Sequence, residues 1–376
     1  MLQSVGWRWT VPLVVAAALP LGSWARSLRP APDAPTVPVA TPAQVATRAA
    51  ATHPQPRSGS FELSTGLGLG DLGTSGAAGG AGLVGLSAGT VEARTWSDGA
   101  GRSRVAQIRP LEETDWIRYG STVWVWHSRS TTAVRVNAPA ALDLPVQGIL
   151  TAVAGTSTPV PTPEELAARL LGLRDRATEL SLGTPRRIAG RPAYDLVLRP
   201  RSAGSLVARI EVVVDAATGL PLEVSVQPHL GGPVIRDRYR SISFARPGAA
   251  NFSFRPPAGA DVTEAASINT ASADRRLRDP REGRGRGRRY FGGPPPPPPS
   301  IALGGTGWDE VVVARGIEEW RFRDVLRVGT PVSGSFGRGL LLRTRALSLI
   351  ALDDGRVVVG AVTPRRLEAA IAETAS

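Results

Sequence analysis

The apolar rhythm of the chain changes several times, and each change predicts an element or a boundary. An apolar run over residues 11–21 follows Arg8 and precedes Ser23-Trp24-Ala25, the order of a secretory signal. A membrane span needs about 20 apolar residues, so residues 1–25 read as a signal peptide or a membrane anchor. Both readings place the rest of the chain outside the cytoplasm, secreted or tethered. Residues 26–40 alternate Pro with small side chains and predict an extended spacer that makes no core. Thr41-Pro42-Ala43-Gln44 is a capping box with Pro at the first helical position, which predicts a helix to about Ala51.

From Phe61 the rhythm becomes that of strands. Residues 90–96 and 104–108 flank a Ser97-Asp98-Gly99 turn, and 115–119, 122–128 and 132–136 follow at short spacing, which predicts a meander. Thr162-Pro163-Glu164-Glu165 opens a second helix, whose Leu166, Leu170 and Leu173 form one stripe. Strands resume at 187–188, 193–198, 206–214, 222–226 and 239–244. In the third of these, Leu206, Ala208, Ile210, Val212 and Val214 share one face while Arg209 and Glu211 take the other. Residues 265–303 lose periodicity, running through an Arg/Gly arm into six prolines, and read as a disordered linker. Residues 304–376 then predict a small α/β module. It comprises a strand at 310–313, a helix near 318–326, a hairpin of 340–352 with 357–362, and a helix opened by Thr363-Pro364. A module of about 65 residues has a thin core by itself, so it is expected to dock on the larger domain, residues 41–264.

Charge changes this picture little. The 44 basic residues are all Arg and the net charge is +12, but residues 275–289 alone carry eight of those Arg. The remainder has no basic stripe with interleaved aromatics, which disfavours nucleic acid as a partner. Outside the cytoplasm, Arg284, Arg286, Arg288 and Arg289 would meet an anionic membrane or cell-wall surface.

Candidate chemistry is sparse. The chain has no Cys, hence no disulfide, thiolate metal site or cysteine nucleophile, and its three His lie far apart. Gly68-Leu69-Gly70-Asp71-Leu72-Gly73 resembles a dinucleotide loop, but the residues after it are too Gly-rich to open the helix such a site requires. Gly85-Leu86-Ser87-Ala88-Gly89 resembles a nucleophile elbow, but a strand-like stretch follows it instead of a helix. No catalytic residue, cofactor or metal is expected. Trp124 and Trp126 lie on a stretch that is apolar on both faces, with Val123 and Val125 opposite them.

Several segments, in their order and spacing, resemble the LolA/RseB-like superfamily of envelope proteins in its exported actinobacterial form. They are Thr41-Pro42-Ala43-Gln44, Arg94-Thr95-Trp96-Ser97-Asp98, the stretch 115–126, Thr162-Pro163-Glu164-Glu165, the stretches 189–196 and 214–222, and Phe252-Ser253-Phe254-Arg255-Pro256-Pro257. The resemblance implies an α+β fold: an unclosed antiparallel β half-barrel with covering helices, here carrying the extra C-terminal module. It further implies a non-enzymatic carrier or chaperone for lipid or lipoprotein acyl chains. On that reading Trp124, Trp126, Tyr194, Leu196, Ile210, Val212, Val224 and Leu170 line an apolar cavity. The alternative within the superfamily is an RseB/MucB-like envelope-stress sensor that binds an anti-sigma factor or another membrane-bound regulator.

Overall fold

The computed structural model describes residues 34–51, 54–66, 89–137, 160–176, 178–265, 300–315 and 329–373. The first helix, α1 (Pro42–Ala50), has both bonds of its capping box: Gln44 N–H donates to Thr41 Oγ1 at 3.2 Å, and Thr41 N–H donates to Gln44 Oε1 at 2.8 Å. In α2 (Pro163–Gly172) half of the box forms. Glu165 accepts from Thr162 N–H at 3.0 Å, while the buried Thr162 hydroxyl has no partner among the described residues.

The larger sheet comprises β1 (Arg57–Thr65), β2 (Gly89–Ser97), β3 (Arg102–Arg109), β4 (Glu112–Tyr119), β5 (Thr122–His127), β6 (Thr132–Asn137), β7 (Thr178–Leu182), β8 (Arg186–Ile188), β9 (Arg191–Pro200), β10 (Val207–Asp215), β11 (Pro221–Pro228), β12 (Ile235–Ser243) and β13 (Asp261–Ala265). Its order is β13-β6-β5-β4-β3-β2-β1-β12-β11-β10-β9-β7, with β8 added to β9. The β2–β6 run is the expected meander, and every described ladder of the sheet except β13 on β6 is antiparallel. The sheet stays open, with β13 and β7 as its edges, and helices α1 and α2 cover one face of its β9–β12 side. This is the α+β architecture expected from the sequence.

The covering works through apolar faces. Val45, Ala46 and Ala49 of α1 and Ala167 and Leu171 of α2 are buried against Tyr194, Leu196, Leu198, Ile210, Val212, Val214 and Val224. In β10 the register shifts between Val207 and Arg209, so Val207 joins this core and Ala208 does not, which corrects the strict alternation expected there. The spacer contributes more than expected. Val37 and Ala40 pack on the same core, and Tyr194 donates its hydroxyl to the Pro38 carbonyl at 2.8 Å.

A second sheet has the order β14-β15-β19-β18-β17-β16, built from β14 (Ser300–Gly304), β15 (Val311–Arg315), β16 (Thr330–Gly334), β17 (Gly337–Arg343), β18 (Ser348–Leu352) and β19 (Val357–Gly360). Helix α3 (Pro364–Glu373) packs Leu367, Ala370 and Ile371 into its core. The helix expected near 318–326 lies outside the described residues, as do residues 1–33. This module docks on the larger sheet. Ser205 bridges to Val362, Leu206 N–H donates to Ala361 O at 2.8 Å, and Thr363 N–H donates to Gly204 O at 2.8 Å. Trp308, 6% exposed, joins the larger core and donates Nε1–H to Thr178 Oγ1 at 2.7 Å.

Candidate functional site

Facing residues of neighbouring strands share a sheet face, so the registers decide which candidates can meet. Leu196 faces Val212, Val212 faces Val224, Val224 faces Asp237, and Tyr239, two residues on, faces Phe61. From Phe61 the same face continues through Ala93, Gln107 and Thr114 to His127. Trp124 and Trp126 alternate with His127 and therefore point to the reverse face. The eight residues expected around one cavity thus separate into two groups.

Tyr194, Leu196, Ile210, Val212 and Val224 are 0–3% exposed in the helix-covered core, and Leu170 of α2 packs on them. On the reverse face, Trp124 and Trp126 lie beneath Phe254, with ring centroids 5.5 and 5.8 Å apart. Phe254 belongs to a strap, residues 244–260, that leaves β12, crosses the meander and delivers the chain to β13. Phe252 anchors the strap as well, buried with the Arg102 guanidinium 5.4 Å from its ring. Arg284, Arg286, Arg288 and Arg289 lie outside the described residues, together with Ser87, His53 and the 68–73 loop.

One open feature of the helix-covered side, among the described residues, is a cleft of about 550 Å³. Its walls are the end of α1, the β2–β3 turn, the first turn of α2 and the β10–β11 turn. Two turns need glycine there. A Cβ on Gly99 (φ +74°) would lie 2.9 Å from the Gln55 backbone, and Gly219 (φ +78°) closes its turn beside Arg48. Such φ values favour glycine because it has no side chain to clash.

At the cleft floor, Glu164 is 3% exposed and neutralised by Arg57, whose Nε donates to Oε1 at 2.9 Å. Tyr239 donates its hydroxyl to the same carboxylate at 2.9 Å. Burial works to lower the Arg57 pKa, but the Glu164 charge outweighs it and holds the guanidinium above its usual value. Burial, then Glu164, pushes the Tyr239 phenol well up. Asp237 sits next to this group at 0% exposure, and neither of its carboxyl oxygens meets hydrogen-bond geometry; the N–H of Arg238 only leans toward it. Burial, reinforced by Glu164 and Glu165, pushes Asp237 up to about 9, so it is a neutral acid at pH 7. Sequence reasoning missed this cluster because its members come from β1, α2 and β12, far apart along the chain.

Among the described residues no group of three or more His, Cys, Asp or Glu side chains is placed to hold a metal ion. His127 Nδ1 lies 3.3 Å from Thr114 Oγ1 and His229 Nε2 lies 3.2 Å from Ser205 O, so both imidazoles have structural partners.

No protein-family model and no curated protein matches the sequence. Among solved structures, the Pseudomonas aeruginosa MucA/MucB complex is similar at 18% identity and a TM-score of 0.43, covering 88% of this chain and 96% of that one. An uncharacterised conserved protein of Thermus thermophilus is similar at 15% identity and a TM-score of 0.33, covering 59% and 98%. A LolA superfamily protein of Nitrosomonas europaea is similar at 12% identity and a TM-score of 0.24, covering 57% and 99%.

Proposed function

We propose that the protein is a non-catalytic, extracytoplasmic binding protein of the regulatory kind, which holds a membrane-bound signalling protein and does not ferry lipid. The observation that carries this reading is the closure of the helix-covered layer. Leu196, Ile210, Val212 and Val224 are each 0% exposed against α1 and α2, which supports a layer packed by its own side chains over one holding an acyl guest there. Among the described residues the cleft offers open ground, where charges of both signs and turn backbone suit a polypeptide segment. Export through residues 1–25 supplies the compartment, and the Arg284–Arg289 arm would add about 1 kcal/mol per Arg near an anionic surface.

Two measurements on the full chain test the reading. Lipid extracted from protein purified without detergent is weighed by mass spectrometry, and a photocrosslinker at Ala100, on the cleft rim, is activated in cells. The expected result is no stoichiometric acyl lipid and one crosslinked membrane protein. Stoichiometric lipid without a protein adduct would return the chain to the carrier class.

A further inference from the structure

We propose that the segment 252–265 is an exchangeable strand, and that two copies of this chain pair by swapping it between the edges of their β6 strands. Such pairing is independent of the sensor reading and follows from how weakly β13 is held. β13 is an edge strand and forms the one parallel ladder among the described residues. Asp261, Val262, Thr263 and Glu264 are all exposed, so no described side chain of β13 is buried to fix it. Its ion pair, Arg135 with Glu264 at 3.1 Å, joins groups 47% and 73% exposed, where water screens most of the attraction. What remains is the backbone ladder from Asp261 on Thr132 to Ala265 on Val136, with Phe254 resting on Trp124 and Trp126 and Phe252 buried beside Arg102, contacts that a swapped segment would make again on its partner.

That seat is self-complementary. The same segment from a second copy would find the same ladder and the same indoles, and the vacated β6 edge would be paired again instead of standing open. The connections allow it. Upstream, the strap carries Pro247-Gly248 between β12 and Phe252. Downstream, residues 266–299 reach roughly 110 Å when extended. The module can therefore stay docked through Trp308 and the Ser205–Val362 bridge while the strand crosses over.

The absence of Cys makes the test clean, because every introduced thiol is unique. Arg135 and Glu264 face each other in the β6–β13 register, as do Thr132 and Asp261. In the full chain, Arg135→Cys with Glu264→Cys, or Thr132→Cys with Asp261→Cys, is expected to close a disulfide within one molecule on oxidation. Mixing an Arg135→Cys chain with a Glu264→Cys chain, or the corresponding second pair, and then oxidising is expected to give a covalent heterodimer whose yield grows with concentration. Light scattering of the unmodified chain should show the matching rise in mass. Three results would overturn the proposal: failure of both pairs to close in cis, which removes the seat itself; a mixture that stays uncrosslinked although a double variant closes; or a chain that scatters as a monomer at every concentration reached.

Discussion

Asp237→Asn separates a buried neutral acid from an ordinary carboxylate. The group is 0% exposed beside Glu164 and Glu165, and its pKa stands at about 9 in the folded chain. In the unfolded chain it returns to about 3.9. Between these values the native state keeps a proton that the unfolded state releases, so the stability Asp237 contributes is whole below the unfolded pKa and is lost as pH rises toward the folded one. The slope is about 1.4 kcal/mol per pH unit. From pH 5 to pH 8 the native chain should therefore lose about 4 kcal/mol relative to Asp237→Asn, whose side chain does not titrate. Whatever constant offset the amide brings cancels in the difference of slopes. Urea titrations at half-unit pH steps, with m-values compared at each step, give that difference directly. Parallel curves for the two proteins between pH 5 and pH 8 would refute the reasoning, because they would mean that Asp237 is ionised and solvated in the fold.

Three further outcomes follow from contacts already described. Arg57→Met strands the buried Glu164 carboxylate and should cost about 3 kcal/mol, most of it regained in the double variant with Glu164→Gln; a double-mutant cycle by chemical denaturation measures the coupling. Leu196→Ala, at a fully buried position under α1 and α2, should cost about 3 kcal/mol in the same assay, whereas a loss below about 1 kcal/mol would reveal a layer with room to spare. Trp308→Ala removes the module's aromatic anchor, and calorimetry should resolve two transitions where the native chain gives one.

Local signals in the sequence were good guides to local structure. Both capping boxes begin helices at the expected residues, and the turn-punctuated stretch after Gly89 is a meander in sequence order. Long-range pairing was not legible. β1 lies between β2 and β12, and β13 returns to β6 across the sheet; no period in a short window encodes either neighbour. Strands β7, β14 and β16 also went unread, being five residues each with Pro, Gly or Ser diluting the alternation. Trp124 and Trp126 show a different limit. Their strand is apolar on both sides, so periodicity cannot say which side faces the helices, and only the ladder from β1 to β5 decides. Glu164 stands in the sequence only as part of a capping box, because the partners that bury it, Arg57 and Tyr239, lie far from it in the chain.

The junction at Ser205–Val362 has a mechanical consequence. Thr363 hands its amide hydrogen to Gly204, and Leu206 returns one to Ala361, so the peptide mesh continues from one body into the other. A load applied at α3 passes through those links into β10, the spine of the helix-covered layer, instead of swinging a loosely tethered bead. Pulling through residue 364 by force spectroscopy should accordingly stretch both bodies together, and an early low-force release of the module would show that the mesh is severed there.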